Sequence, residues 1–266
     1  MTALVKLRVA GAFNAATDYA AYAKVQHHVA TDLADSIAAL AYVSAKQHDL
    51  RLLEIGCGTG FLTQALLSRG IGGRWVVTDI APGMITRCAE TVSGHGNALL
   101  EFATMDGEAP LPEIQQGSCD LICSSLAFQW FGDLSRSLAR LTDLLAPGGV
   151  LAFTTLLDGT FHEWEQAHCA LGLASGGLAY PGPEQLAASF PPGGTLTITE
   201  RVESERHADA RAFLRSVKRI GAGTSSAGRK PLLPAELRRV MARFEVSGAT
   251  ATYRVAHCFW TRDRQQ

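Results

Sequence analysis

The chain has 266 residues, 47% of them hydrophobic and 18% charged, and its 24 Lys and Arg against 25 Asp and Glu leave a formal net charge of -1. That length and apolar content can bury a sizeable core without metal or disulfide staples, and near-neutrality excludes a generic polyanion binder. The balance is uneven, because residues 201 to 243 hold 11 Lys or Arg against 4 Asp or Glu, so one segment is basic on an otherwise acidic chain. Cysteines at 57, 88, 119, 123, 169 and 258 include no C-x-x-C pair, which predicts reduced thiols and a cytoplasmic setting. Lys6 and Arg8 interrupt any apolar leader, and no later stretch approaches the about 18 apolar residues of a membrane span, so no membrane association is expected.

In chain order, residues 1 to 47 read as helical, with Phe13, Tyr19, Tyr22 and Val25 among alanines and polar residues. From Leu50 short apolar runs alternate with amphipathic segments: LRLLEIG, FLTQALLSRG, RWVVTD, PGMITRCAETV, then ALLEFATMD and CDLICSSL. A helix from 134 to 145, a Pro147-Gly148-Gly149 turn and the strand VLAFTT complete five strands in about 105 residues, the pattern of a doubly wound α/β core with a mostly parallel sheet. A helix is expected from 160 to 173, then a Gly- and Pro-rich loop from 175 to 183 and a turn at Pro191. Two late strands at 195 to 202 and 252 to 261 bracket a basic helix, a Gly/Ser loop from 221 to 228 and a second basic helix at 234 to 243. There is no internal repeat or linker, which predicts one domain over 1–266.

The chemistry is concentrated at strand ends. In LLEIGCGTGF a strand stops at Ile55, and Gly56, Gly58 and Gly60 make a turn that lets a ligand lie against backbone at the start of the next helix. Phe61 stands where a dinucleotide fingerprint would place its third glycine, which disfavours a nicotinamide cofactor. Asp79 closes the second strand 19 residues after Gly60, and a carboxylate there can accept both hydroxyls of a ribose. Asp106 follows the third strand. A glycine turn alone is an ordinary tight turn and a strand-end Asp is often a helix cap; their joint spacing is what points to an adenosine site.

With these residues in place, the chain resembles the class I S-adenosylmethionine-dependent methyltransferases. The resemblance implies a Rossmann-like, seven-stranded, mostly parallel sheet with helices on both faces. It also implies that Glu54 orders the glycine loop and the methionine amino group, Asp79 with Ile80 meets the ribose and its surroundings, Met84 packs on the adenine, and Asp106 with Gly107 meets the adenine edge. Ser124 joins this cofactor set.

Further stretches narrow the likeness. SSLAFQWFGDL at 124 to 134, VLAFTTLLDGTFHEW at 150 to 164, SVKRIGAGTSSAGR at 216 to 229 and VAGAFNAATDYAAYAKVQ at 9 to 26 resemble the malonyl-acyl-carrier-protein O-methyltransferases of biotin synthesis, over essentially the whole chain. Ser125 departs from the Asn usual in that family. The likeness implies S-adenosyl-L-methionine as methyl donor, S-adenosyl-L-homocysteine as product, and malonyl-acyl carrier protein as acceptor and partner. It divides the chain into an N-terminal helical lid (1–47), a cofactor core (48–157) and a C-terminal substrate cap with the final strands (158–266). Tyr19 and Gln26 would close over the methyl donor, and Gln129 and Trp130 would line the acceptor wall.

A carboxylate acceptor needs no general base, and Lys218 and Arg229 are the cations expected to hold it. Arg211, Arg215, Arg219, Lys230, Arg238 and Arg239 form the candidate carrier-protein surface. No metal and no nucleic-acid partner are expected, since the chain has no Asn/Asp-Pro-Pro-Tyr type motif; a monomer is favoured. The alternatives are a carboxyl or carbon methyltransferase acting on a free small molecule, and a non-catalytic module that binds the methyl donor or the carrier.

Overall fold

The computed structural model describes residues 3–15, 23–46, 48–94, 98–219 and 232–264. Seven strands form one sheet: β1 (Arg51–Ile55), β2 (Gly73–Asp79), β3 (Ala98–Thr104), β4 (Cys119–Ser125), β5 (Leu145–Leu156), β6 (Gly194–Arg206) and β7 (Thr250–Arg262), in the order β3-β2-β1-β4-β5-β7-β6. The first five run parallel, and β7 is antiparallel to both β5 and β6. Parallel strands demand crossovers, and the helices between them cover both faces.

Alternation along the strands sorts the core into two layers. Leu52, Trp75, Val77, Leu121, Cys123, Val150 and Ala152 face α2 (Lys24–Ala38), α3 (Ala41–Lys46), α4 (Phe61–Ser68) and α5 (Pro82–Val92). Leu53, Ile55, Ile122, Leu151 and Phe153 face α6 (Leu134–Leu144) on the other side. α6 is set there by its own pattern: Leu138, Leu141 and Leu144 recur on one face, and Asp133 caps its first turn by accepting the Arg136 N–H at 3.0 Å. A third cluster joins the outer half of β7 to α7 (His162–Cys169), α9 (Ala210–Arg219) and α10 (Pro234–Val246) through Ala167, Phe213, Val240, Phe244 and Tyr253. α1 (Ala3–Asn14) lies over α5. None of the described helices is long and apolar enough to cross a membrane.

Three expectations shift. The Pro147-Gly148-Gly149 segment is not a turn: β5 begins at Leu145 and takes it in, with a register irregularity against β4 between Cys119 and Leu121, the kind of place where a strand tolerates Pro. The helix expected over 160 to 173 is shorter, and α8 (Pro183–Ala188) adds a turn of helix before Pro191. β6 and β7 pair over 13 residues each, longer than expected, because β6 is an edge strand whose exposed polar residues mask its apolar alternation.

The amino end of the sheet is tied by one buried carboxylate. Asp120 of β4, fully buried, accepts from Tyr42 Oη at 3.0 Å, Lys46 Nζ at 2.7 Å, and Arg51 N, Nε and Nη2 at 3.0, 2.9 and 2.9 Å. Burial alone would raise its pKa, but the donors from Arg51 and Lys46 outweigh it and hold the group well below the ordinary carboxylate range. A depressed pKa contributes stability that is present above the unfolded value of about 4 and is lost as pH falls toward the folded one. Asp120→Asn should therefore cost about 2 kcal/mol at pH 7, the half-exposed Lys46 and Arg51 being screened by solvent. Urea unfolding of the two proteins at pH 7 and pH 3 checks this, with the gap narrowing at the lower pH.

Candidate active site

The carboxyl ends of β1, β2 and β4 open on one cleft, roofed by α1 and α2. Gly56 leaves β1 with φ of +69°, and a Cβ there would lie 2.5 Å from the Ala127 methyl, so only glycine lets the β1 and β4 loops meet. Asp79, at the tip of β2, accepts the Gly58 N–H on Oδ2 at 2.9 Å and the Ala81 N–H on Oδ1 at 2.8 Å. Burial pushes its pKa up, and these backbone donors pull against that. Glu54, 1% exposed, receives the Thr63 hydroxyl at 2.8 Å and faces a smaller recess that shares Gln26, Gly56, Gly58 and Ser125 with the cleft. Burial raises its pKa to about 7, with the Asp79 charge adding to the shift.

Beyond β3, Asp106 accepts the Glu108 N–H at 3.0 Å on Oδ1 and Lys6 Nζ at 2.6 Å on Oδ2. The same ammonium lies 2.5 Å from Glu108 Oε2, and Glu108 Oε1 accepts the N–H groups of Gly132 and Asp133 at 2.9 and 3.0 Å. A Cβ on Gly107 would strike Ile55 at 2.6 Å and the Phe131 ring at 2.7 Å, so this turn too is closely packed. Lys6, Val9 and Phe13 of α1 line the cleft, with Phe13 edge-on to Trp130 at 5.7 Å between centroids. Asn14 holds the end of α1 against α5 by accepting the Gly83 N–H at 2.8 Å and, on its carbonyl, Arg87 Nη2 at 2.9 Å.

The other end of the cleft is largely apolar and aromatic: Leu126, Trp130, Leu156, Phe161, Tyr180 and Tyr253, with Ser125 and Gln129 among them. Leu126 and Phe161 have φ of +50° and +61°, a conformation bulky side chains adopt only under constraint from their surroundings. Gln129 donates to the Leu126 carbonyl at 2.5 Å, which braces that turn.

Of the residues singled out from sequence, Gln26, Gly56, Gly58, Asp79, Ile80, Asp106, Gly107, Gln129 and Trp130 line the cleft, and Glu54 lines the recess. Gly60 stands behind the loop at the start of α4, against Cys88. Met84 is not in the cleft. It shares the inward face of α5 with Cys88 and Val92 at four-residue spacing, and this buries it against Ala10 and Phe13. Ser124 is likewise wholly buried, and strand alternation gives the cleft Ser125 instead.

Lys218 is exposed on α9, outside the cleft lining, because Ala210, Phe213 and Ser216 form the buried side of that helix. Arg211, Arg215, Arg219, Arg238 and Arg239 are exposed on α9 and α10, while Tyr19, Arg229 and Lys230 lie outside the described residues. Sequence reasoning missed Lys6, Ser125, Phe161 and Tyr180. The charge that interrupts the apolar opening and the departure from Asn at 125 were the available signals for the first two.

Residues 53–153 match the methyltransferase domain family. The chain is 44% identical over 261 residues to the biotin biosynthesis bifunctional protein of Bordetella avium, covering 96% of this chain but 52% of that one, so it spans about half the length of that relative. It is 37% identical over 257 residues to the malonyl-[acyl-carrier protein] O-methyltransferase of Magnetococcus marinus, covering 96% of this chain and 92% of the relative. Among solved structures, the YcgJ protein of Bacillus subtilis superposes with a TM-score of 0.59 at 13% identity, over 87% of this chain and 100% of that one. A geranyl diphosphate methyltransferase in complex with SAM superposes with a TM-score of 0.51 at 13% identity, over 90% and 85%. These two likenesses show the α/β class I methyltransferase fold. The near-complete mutual coverage at 37% identity goes further, and the chain belongs to the malonyl-[acyl-carrier protein] O-methyltransferase family.

Proposed function

We propose that the chain transfers a methyl group from S-adenosyl-L-methionine to the free carboxylate of malonyl-acyl carrier protein, giving a methyl ester that primes pimelate assembly for biotin synthesis. The observation that carries this reading is the continuity of one cleft from the strand-end acids to an aromatic chamber. The methyl donor fits the residues present, since the loops at Gly56 and Gly107 are too close-packed for any side chain and leave bare backbone beside the acids. Asp79 has a second lone pair on each oxygen for ribose hydroxyls, Glu54 suits an amino group, and Asp106 suits the adenine edge with Ile80 beside it. When bound, the donor supplies an electrophilic methyl on a sulfonium.

The acceptor's carboxyl titrates at roughly 3 to 4 and is already an anion at pH 7, so no residue must remove a proton. What remains for the protein is alignment within a chamber poor in water. All six cysteines are free and five are buried, in keeping with a reducing cytoplasm. On α9, Arg211, Arg215, Lys218 and Arg219 recur at four- and three-residue spacing on the side opposite Ala210, Phe213 and Ser216. Arg238 and Arg239 are exposed on the neighbouring α10, and such basic surface suits a small acidic carrier. Lys218 thus moves from carboxylate partner to carrier face.

Incubation with the methyl donor and malonyl carrier protein should yield a methyl ester detectable by mass spectrometry; equal rates on free diacids would remove the carrier from the reading. Reversing Arg211 and Arg215 to Glu should raise KM for the carrier substrate roughly ten-fold with kcat unchanged, and the effect should shrink in high salt. Glu54 gives a pH test. Its pKa rises from 4.5 to about 7 on folding, so its contribution to stability is full below 4.5 and lost as pH climbs through 7. Glu54→Gln should melt above the wild type at pH 8, match it near pH 4.5, and bind S-adenosyl-L-homocysteine more weakly at pH 8; calorimetry reads both.

A further inference from the structure

We infer that the Ser125 hydroxyl, aligned by Thr154, is the donor that receives the acceptor's carboxylate, with the Tyr180 phenol, which lines the same chamber, as a second donor. This deepens the substrate reading above and rests on it. Among the described residues, Lys6 is the one Lys or Arg that lines the cleft, and its ammonium is bound to Asp106 and Glu108. What the described lining offers an anion in the chamber is therefore neutral donors, and leaving the anion without any would be costly.

The Ser125 hydroxyl is placed by its neighbours. Ser125 and Thr154 are register partners on the parallel strands β4 and β5, and Thr154 is wholly buried. The Leu126 N–H, held by the left-handed turn at that residue, donates to the Thr154 carbonyl at 3.1 Å and to Thr154 Oγ1 at 3.0 Å. Thr154 Oγ1 lies 3.4 Å from Ser125 Oγ, a long contact that places the serine hydroxyl beside it. With Thr154 Oγ1 already receiving the Leu126 N–H, a donation onward to Ser125 leaves the serine hydrogen available to an acceptor in the cleft.

Tyr180 lines the same chamber. Burial first, and then the Glu165 charge, push its phenol up to about 12, so it keeps its proton and can only donate to a carboxylate at neutral pH. Hydroxyl donors suit a nucleophilic carboxylate better than a bidentate guanidinium would, because they leave an oxygen lone pair free.

The test uses the full chain with S-adenosyl-L-homocysteine and compares binding of malonyl carrier protein with acetoacetyl carrier protein, whose terminal group has similar shape but no charge. The wild type should prefer malonyl. Ser125→Ala should weaken malonyl binding roughly ten-fold and leave acetoacetyl binding and homocysteine-ligand affinity within about two-fold. Thr154→Val should lose part of the preference, Thr154→Ser should restore it, and Tyr180→Phe should lower it independently. A Ser125→Ala protein that keeps the wild-type ratio overturns the assignment alone. A wild type with no preference for malonyl overturns the substrate reading, and this inference with it.

Discussion

A single carboxylate locks the working edge of the sheet. Asp79 receives the Gly58 N–H on one oxygen and the Ala81 N–H on the other, so the loop after β1 and the chain leaving β2 cannot separate without leaving a buried acid unpaired. With that loop fixed, Gly56 stands against Ala127, which sets where the chain turns after β4, and hence where Ser125, Gln129 and Trp130 face. This edge of the cleft is therefore held by the protein's own hydrogen bonds. Such preorganisation favours chemistry that depends on alignment more than on proton transfer.

Charge is distributed unequally along this cleft. Glu54, Asp79, Asp106 and Glu108 gather at the strand-end side, and the only described Lys or Arg on the lining, Lys6, pairs with the last two and offsets one of their charges. The opposite end has hydroxyls, an amide and rings. A cationic ligand is favoured at the first end, and an anionic one is kept away from it by like charge. In the proposed reaction the two charges meet between these ends; Gln26, Gly56, Gly58 and Ser125 line both the cleft and the recess that holds Glu54.

Much of the core was legible because its signals are local. Proline at position 82 and four-residue spacing of Met84, Cys88 and Val92 mark α5 to its ends, and glycines after an apolar run mark the loop. What was not legible depends on which way a side chain turns, or on distant partners. A one-residue step along β4 decides whether position 124 or 125 reaches the cleft. Met84 carries an apolar side chain that suits an adenine face as well as a core, and only the packing of α1 over α5 decides for the core. The role of Lys6 required contact with Asp106, 100 residues away. Lys218 was misplaced because a basic motif does not state which side of its helix is buried.

One helix links the proposed carrier surface to a wall of the chamber. α9 turns its arginines and Lys218 outward and Phe213 inward, where the Phe213 ring meets Phe161 edge-on at 5.5 Å and Phe244 of α10 at 4.9 Å. Phe161 is itself a wall of the cleft, is held at positive φ, and packs on Tyr253 at 4.8 Å. Close-packed rings transmit displacement instead of absorbing it. A carrier seated on the outer face of α9 would therefore bear, through Phe213, on the strained residue that shapes the chamber receiving its cargo.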